Sequence, residues 1–99
     1  MKANFNVNVV DFSGDEILLN GKKVNLSEEL QKSLFFAGNN TRLTPEEKYL
    51  AYKVGRKLAS GSDEYTAEEC SFIKKIAGDT MAAGLYGSIV DIIEGDSNK

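Results

Sequence analysis

The sequence contains no histidine and a single cysteine, and these absences exclude much of enzyme chemistry. Without histidine there is no imidazole general base, no histidine-containing triad and no histidine-ligated metal site. With Cys70 alone there is no intramolecular disulfide framework and no CxxC redox or zinc motif. Cys70 has apolar neighbours at helical spacing, so we expect a buried, unreactive thiol. We therefore expect a non-enzymatic protein with no metal and no cofactor.

Long apolar runs and an excess of basic charge are also lacking. The apolar stretches fall far short of a membrane span, and no pattern typical of a signal peptide opens the chain. Twelve basic against fifteen acidic side chains leave a net charge of −3, which is wrong for a protein that coats nucleic acid through phosphate contacts. We expect a cytoplasmic protein whose partners include neither a membrane nor extended nucleic acid.

What is present indicates one globular domain. The chain has 99 residues, of which 41% are hydrophobic and 27% charged, a composition that separates it from disordered sequences. A chain of this length can form one compact core without disulfides or metal. We predict a single domain over residues 1–99.

The first quarter of the chain is patterned as strands. Phe5, Val7 and Val9 alternate with asparagines, which is the period-2 pattern of a strand with one solvated face. Asn20-Gly21, between two short runs of strand-forming residues, is the strongest short signal for a hairpin turn. Residues 3–26 are therefore predicted to form a three-stranded antiparallel meander.

Residues 27–95 are patterned as three or four short helices, followed by a frayed tail at 96–99. Thr44 with Glu47 and Thr66 with Glu69 are capping boxes, and Ser27 is a candidate cap for the first helix. The last helix is predicted to start near residue 79 or 80, and the helices are predicted to end at Gly38, Gly61, Gly78 and Gly95. The predicted fold class is α+β, with the meander packed against the helices.

The second predicted helix carries the most suggestive surface. Tyr49, Tyr52, Lys53 and Arg56 fall on one face, away from the apolar stripe of the same helix. Two rings with two cations could stack on a nucleobase and bind its phosphate, or contact a partner protein. Tyrosines half-buried against a neighbouring element would explain the same pattern without any binding role.

Two apolar features remain. Adjacent helical residues point about 100° apart, so only one of Phe35 and Phe36 can face the core squarely. The other has to reach a second layer, which we expect to be the sheet, or be exposed. We expect core packing; an exposed phenylalanine here would instead be a hot spot for a partner. The last helix has an apolar arc wider than one packing partner needs, which predicts either a central helix or self-association. The candidate self-association residues are Met81, Leu85, Ile89 and Ile92.

The order of these patterns is similar to that of small uncharacterised accessory proteins of tailed bacteriophages and prophages. The resemblance rests on a short strand–turn–strand opening and on segments at 49–54, 65–69, 73–76 and 87–95, which read YLAYKV, YTAEE, IKKI and GSIVDIIEG. It implies a viral accessory protein that acts in the host cytoplasm by binding something, and it supplies no catalytic residue.

Two classes of function stay open at this point. The first is a phage-type binding protein that engages a host or phage protein and inhibits or regulates it, for example a factor of anti-phage defence. The second is a small-ligand protein that binds or sequesters a nucleotide through the Tyr49, Tyr52, Lys53 and Arg56 face. A virion assembly factor is a third alternative.

Overall fold

The computed structural model describes residues 2–39 and 42–95, so the predicted tail at 96–99 lies outside the described residues. Within that part of the chain the fold is mainly helical, and only a small antiparallel sheet accompanies the helices. The elements are β1 Leu18–Leu19, β2 Lys22–Lys23, α1 Leu26–Phe35, α2 Pro45–Ala59, α3 Ala67–Thr80 and α4 Ala83–Glu94.

The predicted three-stranded meander is wrong. β1 and β2 form a two-stranded hairpin with Leu18 opposite Lys23 and Leu19 opposite Lys22. The segment before them contributes isolated bridges, among them Asn8 with Asn25, and no strand of its own within the described residues.

Local hydrogen bonds explain why the alternating segment does not become a strand. The Asn6 N–H donates to Asn4 Oδ1 at 3.0 Å, and the Val7 N–H donates to the Phe5 carbonyl at 2.9 Å. These bonds take backbone donors that a sheet ladder would need, which is how asparagine competes with strands. Phe5 and Val9 are buried while Val7 is exposed, so the burial does not follow the predicted period of two.

The predicted hairpin turn is confirmed. Asn20 and Gly21 have φ angles of 53° and 79°, and a type I′ turn requires positive φ at both central positions.

Both predicted capping boxes are also confirmed. The Thr44 hydroxyl accepts from the Glu47 N–H while the Glu47 carboxylate accepts from the Thr44 N–H, and Thr66 and Glu69 make the same reciprocal pair. Gly61, just after α2, has a φ of +81°, as expected of a helix terminator.

Other predicted helix ends need correction. α1 is capped by Asn25, whose side chain accepts from the Glu28 N–H, and Ser27 lies inside the helix and is buried. α3 continues through Gly78 to Thr80, and Gly78 does not adopt the positive φ of a helix terminator. A Cβ at Gly78 would lie 3.4 Å from Cε1 of Tyr86, at the near edge of ordinary contact, so the Tyr86 ring packs close to this glycine. α4 consequently begins at residue 83, without a capping side chain.

The core draws on the N-terminal segment and on all four helices. Its fully buried side chains include Leu26, Leu30, Val54, Tyr65, Ile73, Ile76 and Ile89. α2 and α3 run antiparallel and are joined at both ends by ion pairs, Lys75 with Glu47 at 2.6 Å and Lys57 with Glu69 at 2.8 Å. Both glutamates also belong to the capping boxes, so the same carboxylates stop fraying and hold the two helices together.

Candidate functional site

A groove of about 530 Å³ lies between α1 and α2. It is lined mainly by apolar groups, together with two cations and a tyrosine. The lining residues are Gln31, Leu34, Phe35, Ala37, Lys48, Ala51, Tyr52, Gly55, Arg56 and Ala59.

The α2 wall of the groove consists of two parallel rows, each with one residue per helical turn. The small row is Ala51, Gly55 and Ala59, and the rim row is Lys48, Tyr52 and Arg56. A Cβ at Gly55 would approach Leu34 Cβ to 3.8 Å, which is ordinary contact distance, so a methyl group fits there. Ala51 is buried in the core, so the accessible part of the small row is Gly55 and Ala59. The i, i+4, i+8 spacing of small residues is the sequence signal that could have indicated a groove.

Phe35 and Phe36 are exposed, and the prediction that they pack in the core is wrong. Phe35 is 80% exposed and Phe36 is 63% exposed. Their rings contact each other edge to face, with centroids 5.0 Å apart. Leu30 and Leu34 occupy the core side of α1, so the two phenylalanines at the end of the helix are left outside. Phe35 also lines the groove.

The structure brings together the four residues predicted on one face of α2. The rings of Tyr49 and Tyr52 stack with centroids 6.0 Å apart and an interplanar angle of 17°. Lys53 Nζ lies 5.0 Å from the centre of the Tyr49 ring, and the guanidinium carbon of Arg56 lies 5.7 Å from the centre of the Tyr52 ring. Each cation therefore sits over one ring of the stacked pair.

Only half of that face belongs to the groove. Tyr52 and Arg56 line it, whereas Tyr49 and Lys53 lie beside it. A base sandwiched between the two tyrosine rings would need them about 7–8 Å apart, twice the usual carbon–carbon contact. At 6.0 Å the rings leave no such slot.

The cations of the rim row, Lys48 and Arg56, have no carboxylate partner in the described part of the chain, and neither does Lys53 beside them. Five lysines do form ion pairs there: Lys23, Lys32, Lys57, Lys74 and Lys75. A hydrogen bond to the Tyr52 hydroxyl raises the pKa of Arg56, which stays charged at any working pH. The charge on the rim row is therefore positive and available to an anionic group.

Nothing in the described ranges is arranged as a metal site, since no group of three or more Cys, Asp or Glu side chains converges there. The thiol of Cys70 is buried, and burial raises its pKa, which disfavours the reactive thiolate.

Among residues 2–39 and 42–95, no helix is both long and apolar enough to cross a bilayer.

The apolar arc of α4 is used mostly within the chain. Ile89 is fully buried, so it is not accessible to a second copy of the folded protein. Met81, Leu85 and Ile92 are partly buried against the core. Self-association through α4 stays a prediction, but Ile89 cannot be one of the residues that contact a second copy.

No protein-family model, curated protein or solved structure matches this chain. The resemblance to phage accessory proteins consequently remains a prediction from the sequence.

Proposed function

We propose that this protein is a non-enzymatic binding protein that docks a segment of another protein in the α1–α2 groove. In keeping with the resemblance to phage accessory proteins, we propose that the partner is a host protein in the cytoplasm, which docking inhibits or regulates. The observation that carries the proposal is Phe35, a large apolar side chain 80% exposed at the edge of a groove.

The composition around the groove supports a protein contact. Aromatic residues and arginine dominate the binding energy of protein interfaces, and here Phe35, Tyr52 and Arg56 line one concave surface. Phe36 and Tyr49, which are 63% and 60% exposed, extend the apolar area beside it. Contiguous exposed apolar area of this kind is typical of interaction sites and unfavourable without one.

Nucleotide binding is the second candidate, favoured by Lys48 and Arg56 beside the rings of Phe35 and Tyr52. It ranks lower because most of the lining is apolar and the tyrosine pair leaves no slot for a base. Thermal melts with mono- and cyclic nucleotides test it, since a ligand at a hundred times its dissociation constant adds about 2.7 kcal/mol of stability. A shift abolished by R56Q would favour this candidate over protein docking.

The test of protein docking is comparative affinity capture from host cytoplasmic extract, read by quantitative mass spectrometry. Wild-type protein is compared with F35S and with the matched control F12S. Phe12 is 98% exposed and lies outside the groove, so each variant loses one exposed ring. We expect a protein retained by the wild type and by F12S but lost by F35S. Equal retention by all three, or loss with F12S only, would contradict docking in the groove.

A further inference from the structure

The charged groups lining the groove are cationic in a protein whose net charge is −3. Lys48 and Arg56 stand two helical turns apart on the rim row, and Lys53 lies just beyond it. No carboxylate is among the lining residues that the structure describes. The overall composition would favour acidic groups here, so the groove differs in charge from the chain as a whole.

Two carboxylates on neighbouring turns are already engaged, whereas Glu28, one turn before Gln31 on α1, makes no ion pair with another described residue. Glu29 of α1 pairs with Lys32, and Glu47 of α2 pairs with Lys75. The positive charge at the groove is therefore not neutralised by these glutamates, and a complementary surface has to bring carboxylates of its own.

The dimensions of the groove indicate the shape of its occupant. Its α2 wall runs from Lys48 to Ala59, which is about 16 Å at 1.5 Å per residue, or three turns of helix. Both walls are helices, whose backbone groups are bonded internally, so a peptide cannot add as a strand. Ala51 is buried, so the small row offers space on two successive turns, at Gly55 and Ala59, which matches side chains at i and i+3/i+4 on a docked helix.

We propose that the groove receives an acidic amphipathic helix of about three turns from the partner protein, an inference that rests on the proposed function. The apolar face of that helix packs over Gly55 and Ala59 of the small row and against Phe35. Carboxylates on its flank pair with Lys48 and Arg56. Lys53 adds attraction at longer range, which weakens as salt rises.

The probes are two synthetic peptides of sixteen residues with blocked ends. The acidic peptide carries leucines at i, i+3, i+4 and i+7 and glutamates on both flanks. The basic peptide is identical except for lysine in place of every glutamate. Each is titrated into the ¹⁵N-labelled full-length chain, and amide shifts report both affinity and location.

We expect the acidic peptide to shift amides of α1 and α2 around Gly55 and to bind at least tenfold more tightly than the basic peptide. K48Q and R56Q should each weaken it about threefold or more. K22Q removes the same charge from exposed Lys22 on the hairpin, outside the groove, and should leave the affinity unchanged. Loss of the tenfold preference at high salt would also support the charge pairing.

Other outcomes overturn the inference in distinguishable ways. Equal binding of both peptides at the groove refutes the acidic partner but leaves protein docking intact. If neither peptide shifts the amides at millimolar concentration, a helical occupant is refuted. The affinity capture with F35S and F12S tests protein docking separately. Amide shifts at the groove with a nucleotide, and with neither peptide, refute the helical occupant and favour nucleotide binding. If the molecular mass in solution rises with protein concentration and F35S abolishes that rise, the occupant of the groove is a second copy of this chain.

Discussion

Arg56 donates a hydrogen bond from Nη1 to the hydroxyl of Tyr52 at 3.0 Å, one helical turn earlier on α2. The Tyr52 ring in turn stacks on Tyr49. Tyr52 is 53% exposed and Arg56 is exposed as well, so their contacts shape the wall of the groove without supporting the core. These contacts hold the side chains of the rim against one another, and side chains already held in place lose less entropy on binding.

Replacing both residues tests whether they serve binding or folding. We expect Y52A/R56A to keep the circular dichroism spectrum and the urea midpoint of the wild type, because neither side chain is buried. Binding of the captured partner, measured by calorimetry, should fall at least tenfold. A variant that fails to fold would show instead that the pair belongs to the structural framework.

Leu34 and Phe35 are neighbours with opposite expected effects on stability. Leu34 is 2% exposed, so L34A should lower the free energy of unfolding by about 2–5 kcal/mol. Phe35 is 80% exposed, so F35S should change it by no more than about 0.5 kcal/mol. Urea unfolding of both variants measures the difference. A large loss of stability in F35S would contradict the exposed position of this ring.

Glu69 links the stability of the protein to pH. Burial alone would raise its pKa, but hydrogen bonds from Lys57 and from the Thr66 N–H outweigh burial, and the pKa is lowered from its ordinary value of 4.5. A carboxyl with a lowered pKa stabilises the fold above the unfolded pKa, and that stability is lost as the pH falls through the folded pKa. We therefore expect E69Q to cost about 1 kcal/mol at neutral pH and to flatten the loss of stability below about pH 4.5.

The neighbouring glutamate is the control for that measurement. Glu68 is exposed and makes neither the capping bond nor the ion pair of Glu69. E68Q removes the same charge, and chemical unfolding across the acid range should follow the wild-type curve closely. If E68Q and E69Q flatten the curve equally, the effect comes from overall charge and not from the Lys57–Glu69 pair.

Two glycines differ in what a methyl group would do. Gly55 lies within α2 with ordinary contact distance to Leu34, so G55A should stabilise the protein by about 0.5–1 kcal/mol through helix propensity. Gly38 has a φ of +92°, and a Cβ there would lie 3.0 Å from Lys48 Cε. G38A should destabilise by about 1 kcal/mol.

Thermal melts measure both changes in stability: the melting temperature should rise in G55A and fall in G38A. G55A also adds volume to the small row, so it should weaken partner binding while raising the melting temperature. Tighter binding together with higher stability would contradict the position of Gly55 on the groove wall.

Sequence reasoning succeeded where one local interaction decides the structure. Thr44 with Glu47 and Thr66 with Glu69 satisfy their own helix starts, whatever packs around them. Asn20-Gly21 fixes its turn through backbone conformation alone.

It failed where a tertiary contact or a competing local bond decides. Gly78 resembles a helix stop, but α3 continues through it to Thr80, and the Tyr86 ring of α4 packs beside it. Alternation around Phe5 resembles a strand until the Asn4 side chain takes a backbone donor. Residue type alone did not predict that Phe35 is exposed. Leu30 and Leu34 already fill the core side of α1, and that depends on how the helix packs in the fold.

Site-specific photo-crosslinking in cells of the proposed host tests the central claim most directly. Benzoylphenylalanine replaces Phe35 in one sample and Phe12 in another, and adducts are identified by mass after illumination. We predict one defined adduct with a protein other than this chain when the probe is at position 35, and none of that mass when it is at position 12. The same adduct from both positions, or only adducts between copies of this chain, would contradict docking of a partner protein in the α1–α2 groove.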